Sequence, residues 1–420
     1  MVGNVLTGSL GETAVAGTIN PNTSRATVSG NTITIDGKTV TVSSLPALIK
    51  DDAGTIFQVK ADGTVTKVAT YDTALATAQD PDMKDGSVIF TANKDASYAF
   101  DAWQSKFNGV IQLEREYELI GAGYRVPAKL ILPGEVDAVD ANLQNSSYNT
   151  SHIKFANGQG AVFNHTVKNG KFTIKLAGGP AGDGQHIYAW YVNGNDKKVI
   201  GKLLLASYAP QQKQVVVIPV KKSTYSASDY AEGLNKAYAK LGINYTVTLD
   251  NSFINNRTWD LDGNGKVQYS GSKLLSTDYK GEEAAMIQAY ADFKGGVDKL
   301  DPQTAYFFEV YEASNLEDNL LGKMPAEEQF GFLYTGGATR SGMANTIAHE
   351  IGHGAYHMEH SFHNLYLKEG SKTTTQNLMD YAGGYELWKY QWDIIHDPGH
   401  VWGVLKRDRD GEMVGSKGNV

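Results

Sequence analysis

The sequence predicts a protein of several domains, in which β-rich modules precede an α/β (α+β) domain. Up to about residue 210, short alternating strands are separated by Asp-Gly and Asn-Gly turns. From about residue 211, continuous apolar strands alternate with segments of helical periodicity. The Asp80-Pro81-Asp82 segment divides the first part. The predicted domains are therefore a β-rich module at 1–82, a β-sandwich-like module at 83–210 and the α/β domain at 211–420.

Four hairpins are expected in the first part. Residues 32–35 and 38–42 alternate polar and apolar side chains on either side of Asp36-Gly37, which is a strong hairpin signal. The pattern recurs around Asp62-Gly63, Asn169-Gly170 and Asn193-Gly194. A weaker helical pattern covers residues 101–118.

The second part alternates strands and helices. Residues 214–220 form an apolar strand, typical of one buried on both faces. Ser226 or Ser228 can cap a helix that Gly242 ends. A strand at 243–249, a helix at 282–293 and strands at 304–311 and 330–334 follow, before a histidine-rich helix.

Composition excludes several classes of protein. Hydrophobic residues make up 41% of the 420 residues and the net charge is −8, so a nucleic-acid partner is not favoured. No apolar run is long enough to cross a bilayer, and the first twenty residues are not expected to form a signal peptide. Because the chain has no cysteine, any metal must be held by His, Asp or Glu.

Residues 348–363, AHEIGHGAYHMEHSFH, carry a metal-binding pattern. His349 and His353 are four residues apart, so on a helix both imidazoles lie on one face and can bind one ion. Glu350 adjoins them and is placed to accept a proton from a water on that ion. Gly352 and Gly354 each cost a helix about 1 kcal/mol relative to alanine, so a close approach of other groups is expected there.

This pattern, followed by Asn377-Leu378-Met379-Asp380-Tyr381, resembles the metzincin clan of zinc endopeptidases. More closely, GKMPAEEQFGFLY, TIAHEIGHGAYHMEH and NLMDYAGGYELWKYQWDIIHDP resemble zincin-like domains of secreted proteins and contractile-system effectors in Bacteroidetes-type bacteria. The resemblance covers about residues 211–405. It implies that Met379 lies directly beneath the metal and that Tyr381 donates a hydrogen bond to the oxyanion of the reaction. It also implies that residues 330–334 form an edge strand that pairs with substrate.

The third zinc ligand is expected to be His360. The usual metzincin pattern places glycine and the third histidine at positions that are Tyr356 and Glu359 here, whereas the related bacterial domains use the longer spacing. Glu359, His363 and a distant glutamate such as Glu386 remain alternatives. His357 would lie a further helical turn away, so the helix must end near residues 354–357.

A second motif lies at residues 260–267, DLDGNGKV. Asp260, Asp262 and Asn264 alternate as in a calcium loop, with a glycine at the sharp turn. Its twelfth position is Gly271, where a bidentate glutamate belongs. A weak Ca²⁺ site and a simple polar turn are both consistent with this pattern.

The expected function is hydrolysis of a protein or peptide by a Zn²⁺-dependent endopeptidase with Glu350 as general base. Secretion, or delivery outside the bacterial cell by a dedicated apparatus, is expected from the resemblance. One alternative is a delivered toxin acting on a host or competitor protein or on peptidoglycan. Another is a β-rich adhesin or binding protein with an inactive peptidase domain.

Overall fold

A computed structural model describes residues 10–77, 79–83, 85–121, 123–253, 259–268, 279, 281–311, 320–325, 328–363, 366–367, 371–396 and 412–414. The chain divides into two compact units. The first contains residues 1–108 and 114–210, and the second contains residues 109–113 and 211–420. The predicted boundary between residues 210 and 211 therefore agrees with the structure.

The first unit is built from strands. In chain order they are β1 (Thr13–Ala14), β2 (Thr27–Ser29), β3 (Thr32–Ile35), β4 (Lys38–Thr41), β5 (Ala47–Lys50), β6 (Thr55–Val59), β7 (Val65–Tyr71), β8 (Val88–Thr91), β9 (Phe100–Asp101), β10 (Leu119–Ile120), β11 (Tyr124–Arg125), β12 (Ala128–Leu130), β13 (Val136–Leu143), β14 (Ile153–Asn157), β15 (Ala161–Phe163), β16 (His165–Lys168), β17 (Lys171–Ala177), β18 (Gly182–Asn193) and β19 (Asp196–Ser207). One sheet has the order β1-β5-β6-β7-β15-β14-β18-β19-β12-β9, and smaller sheets join β16-β17-β13-β8, β2-β3-β4 and β10-β11.

All four predicted hairpins are confirmed. The strand pairs β3–β4, β6–β7, β16–β17 and β18–β19 are antiparallel. Asp36 and Gly37 have φ of 47° and 73°, as the turn between twisted strands requires. The turn chemistry therefore sets the local pairing.

Two predictions for the first unit are wrong. The boundary near residue 82 does not separate two modules, because β7 pairs with β15 and the largest sheet contains strands from both sides. The predicted helix at 101–118 is reduced to α1 (Ile111–Glu116), and Asp101 lies in β9. Pairing between distant strands overrides the composition break and the weak helical pattern.

The second unit alternates strands and helices. Its elements are β20 (Gln211–Pro219), α2 (Ala227–Tyr238), β21 (Ile243–Leu249), α3 (Glu282–Phe293), β22 (Thr304–Val310), β23 (Leu320–Lys323), β24 (Phe330–Tyr334), α4 (Arg340–Gly354), α5 (Lys389–His396) and β25 (Glu412–Val414). The sheet order is β21-β20-β22-β24-β23-β25. The first four strands in this order run parallel, and β23 and β25 are each antiparallel to their neighbours.

Local sequence accounts for most of this unit. Ser226 and Asp229 form a reciprocal capping box at the start of α2, and Gly242 follows in the left-handed conformation, with φ of 80°. The strand predicted at 330–334 is confirmed as β24, but its edge position is wrong. It lies between β22 and β23 and is buried throughout.

Among the described helices, none combines the length and apolar character that a bilayer-spanning segment needs.

Candidate metal centre

Three histidine side chains converge beside helix α4. The Nε2 atoms of His349 and His353 are 3.0 Å apart, and the Nε2 atom of His360 lies 3.3 Å and 3.2 Å from them. Tetrahedral zinc with Zn–N bonds of about 2.0–2.1 Å separates its ligand nitrogens by about 3.3 Å. All three side chains are buried. The triangle could therefore hold one metal ion of this size.

Backbone carbonyls orient two of these rings. The Nδ1 atom of His349 lies 2.8 Å from the carbonyl oxygen of Leu378, and that of His353 lies 2.6 Å from the carbonyl oxygen of Met358. A carbonyl can only accept, so each Nδ1 carries the hydrogen. Each Nε2 then presents a lone pair to the shared centre, as in known histidine–metal sites.

Both of these imidazoles are held in their neutral form. Burial lowers the pKa of His349 to about 3, with a further contribution from His360. Burial likewise holds the pKa of His353 well below its ordinary value. Since only a neutral imidazole can bind a metal, these two side chains are available to an ion at neutral pH.

The chain reverses direction just after the second histidine. Helix α4 ends at Gly354, and His357 adopts the left-handed conformation with φ of 55°. The N–H of Met358 then donates to the carbonyl oxygen of Gly352. This reversal carries His360 back to the centre and leaves His357 outside the histidine triangle. The predicted helix end near residues 354–357 is confirmed.

The glycines of the motif allow methionines to pack directly against the helix. A Cβ atom on Gly352 would lie 2.6 Å from the Sδ atom of Met379, and one on Gly354 would lie 2.4 Å from the Sδ atom of Met324. Met379 is fully buried. The close approach expected from these glycines is therefore present, and Met379 lies against the helix that carries two of the histidines.

Residues 377–380 form a turn, named here the Met379 turn, in which the N–H of Asp380 donates to the carbonyl oxygen of Asn377. The backbone of this turn also forms hydrogen bonds with the histidine segments. The carbonyl oxygen of Met379 accepts from the N–H of Ser361, which follows His360, while that of Leu378 accepts from His349. The turn thus joins the first and third histidines of the triangle.

Three buried polar side chains, those of Asp380, Asn377 and Gln391, hold this turn. Asp380 accepts from the N–H groups of Thr373, Thr375 and Tyr381 and from the Thr375 hydroxyl. The amides of Asn377 and Gln391 bind each other reciprocally, at 2.7 Å and 3.1 Å. Asn377 and Asp380 belong to the Asn377–Tyr381 motif, but nothing in the sequence pointed to Gln391.

Tyr381 lies at the histidine cluster. Its ring centroid is 4.9 Å from that of His360 and 5.8 Å from that of His349. The Lys372 ammonium lies 4.5 Å from the Tyr381 ring centroid, and Phe362 stacks on His360. The Tyr381 ring thus lies beside two of the three histidines.

Glu350 is fully buried on α4, next to His349. A Cβ atom on Gly322 of β23 would lie 3.0 Å from the Oε1 atom of Glu350. Burial raises the pKa of Tyr334 well above its ordinary value, and the charges of Glu283 and Glu350 add to the shift. Glu350 therefore lies beneath β23 and close enough to Tyr334 for its charge to act on that side chain.

The alternative third ligands lie elsewhere. The Oε2 atom of Glu359 is 3.0 Å from the Nδ1 atom of His363. Glu386 is exposed, and its backbone forms hydrogen bonds with Gln376 and Leu378.

A cavity of about 460 Å³ opens on the opposite face of α4, at Ile351 and Ala355, and none of the three histidines lines it.

The calcium motif forms a different acidic cluster from the predicted one. Asp260 and Asp262 are joined by Glu282, with ligand atoms within 4.8 Å of one another. Glu282, which is fully buried, accepts from the N–H groups of Leu261, Asp262 and Gln268. The amide of Asn264 instead donates to Asp262. Position 271 lies outside the described residues.

The chain was compared with known proteins in three ways. No family model, no curated protein and no solved structure matches it.

Proposed function

We propose that this protein is a zinc-dependent endopeptidase whose ion is held by His349, His353 and His360. The observation that carries the proposal is the triangle of Nε2 atoms, 3.0–3.3 Å apart, on and beside the helix that also carries Glu350. Three histidines with a fourth position left for water or substrate are a donor set of catalytic zinc sites.

Zinc bound there would lower the pKa of a water molecule and polarise a peptide carbonyl. Glu350 is the general base of the proposal, since its carboxylate is adjacent in the helix to the first histidine and can accept the proton of the attacking water. Tyr381, whose ring lies near His349 and His360, would donate its hydroxyl hydrogen to the oxyanion that forms on the carbonyl.

The substrate of this proposal is an extended stretch of protein or peptide. β23 lies over Glu350, and a peptide that displaced β25 from it would add to the sheet as an extended strand. Resemblance to secreted and effector domains extends the proposal to targets outside the producing cell. A host or competitor protein, or a peptidoglycan cross-link, is the corresponding delivered-toxin alternative.

Metal analysis combined with one variant tests this function. Purified protein should contain about one zinc per chain. Glu350→Gln should retain the zinc and lose hydrolysis of unstructured peptides by several orders of magnitude, because it removes the base and leaves the ligands intact. Peptide cleavage by Glu350→Gln at the wild-type rate would contradict the proposal.

Profiling cleavage of a whole proteome separates this proposal from that of a binding protein with an inactive peptidase domain. Wild-type protein should generate new peptide termini that are absent with Glu350→Gln. Zinc-loaded wild type that generates none would favour the binding protein.

A further inference from the structure

Strand β23 of the second unit passes close over the proposed catalytic base. A Cβ atom on Gly322 would lie 2.5 Å from the Cγ2 atom of Thr346 and 2.9 Å from the Cγ atom of Glu350. Only a glycine allows β23 to approach α4 this closely. A chain that pairs with the outer side of β23 therefore runs beside the helix that carries the metal centre.

That outer side is occupied by the protein itself. In β25, Glu412, Met413 and Val414 pair antiparallel with Lys323, Gly322 and Leu320. The Cα atoms of β25 also come within 8 Å of those of α4. β25 thus takes the direction and the position that an extended peptide would take at this edge.

β25 and a bound peptide exclude each other. A strand has two edges, and the inner edge of β23 already pairs with β24 through Gly322 and Lys323. An added peptide needs the N–H and C=O groups of the outer edge, which β25 uses. Only three residues form β25, so few ladder bonds have to break when it leaves.

We propose that β25 is an intramolecular inhibitor that covers the substrate-binding edge and leaves before a peptide can bind. This inference rests on the proposed peptidase function. An occupied edge lowers the apparent affinity for substrate by the fraction of molecules in which it is free. The inhibition therefore raises KM and leaves kcat unchanged at saturating substrate.

A reversible cross-link tests the proposal in the full-length, zinc-loaded protein. The chain has no cysteine, so Leu320→Cys combined with Val414→Cys introduces the only two thiols. Paired residues of antiparallel strands have Cα atoms about 4.5–5.5 Å apart, within the range that a disulfide spans. Oxidation should lower kcat/KM for an unstructured fluorogenic peptide at least about tenfold, and a phosphine reductant should restore it.

The opposite change should release the edge. Successive N–H groups of a strand point to opposite edges, so prolines at positions 412 and 413 remove the one that faces β23. Glu412→Pro with Met413→Pro should raise kcat/KM severalfold over the matched control, Glu412→Ala with Met413→Ala. The two single-cysteine variants, which should not respond to oxidant, control for oxidation of other groups.

The outcomes separate this inference from the peptidase function. Failure of the two cysteines to cross-link, or full activity of the cross-linked protein, would overturn the inhibitor and leave the function standing. Equal kcat/KM in the proline and alanine variants would also overturn the inhibitor. A proline variant that loses zinc and unfolds would overturn it too, because β25 would then be a strand that the fold requires. No hydrolysis by any form would overturn the function and the inference together.

Discussion

The turn that carries Met379 depends on Asp380, and we predict that Asp380→Asn weakens both the fold and the metal centre. The buried carboxylate accepts four hydrogen bonds, two on each oxygen. Asparagine keeps one acceptor oxygen and replaces the other by an NH₂ group. In the better of its two orientations, the NH₂ group faces the N–H of Thr375, which then has no acceptor.

The cost follows from these contacts. One buried N–H without an acceptor costs about 1–3 kcal/mol, and losing the charge weakens each of the three remaining bonds by roughly 0.5–1 kcal/mol. The total is about 2.5–6 kcal/mol. For a unit of about 200 residues, in which 1 kcal/mol shifts the melting temperature by about 2–4 °C, the expected decrease is roughly 5–24 °C.

The metal centre should weaken with the turn, because Leu378 and Met379 bind His349 and Ser361 through their carbonyls. Loss of such outer contacts typically lowers metal affinity about 10–100-fold. Calorimetry measures the melting temperature of this unit, whose unfolding transition is recognised because it shifts when zinc is added. Competition with a chelator measures the Kd for zinc.

Asp298→Asn is the matched control for Asp380→Asn. Asp298 pairs with Lys299 on the surface, a contact worth about 0–1 kcal/mol. A decrease in melting temperature no larger than that of the control, or an unchanged Kd for zinc in Asp380→Asn, would refute the reasoning.

Three further predictions concern single side chains. His360→Ala should abolish stable zinc binding in equilibrium dialysis, whereas Glu359→Gln should retain it; the reverse result would make Glu359 the ligand. Tyr381→Phe should lower kcat by roughly 10²–10³-fold with little change in KM, while unchanged turnover with lower thermal stability would identify a packing residue. About 1 mM calcium should raise the melting temperature of the wild type, but not of Asp260→Ala or Glu282→Gln. Equal shifts in all three proteins would leave only a polar turn.

Local patterns accounted for most of the fold. The Asp36-Gly37 hairpin and the capped helix α2 follow from turn and cap chemistry within a few residues. β23 and β25 were not predicted, because each has at most four residues and their pairing joins segments far apart in the chain. The edge position predicted for Phe330–Tyr334 failed for the same reason.

The candidate site likewise contains contacts that local sequence predicts and contacts that it does not. The four-residue spacing of His349 and His353 is a property of one helix, so the sequence suffices to place them together. Asn377 meets Gln391 across 14 residues, and Glu282 accepts from Leu261 across 21 residues. No helical or strand period predicts such contacts, which depend on how separate elements pack.

The hydrogen bonds that join the histidine segments through the Met379 turn have a consequence for the resistance of the protein to proteolysis. On the proposed function, zinc binds three histidines whose segments the turn already joins, and it stabilises the folded state over the unfolded one by mass action. If that ion were withdrawn, the end of α4, the reversal after it and the turn would loosen together. Local opening of this kind is what exposes a chain to proteases. On the proposed function, activity and resistance to digestion would therefore depend on the same ion, and a molecule that lost its zinc would become both inactive and easier to digest.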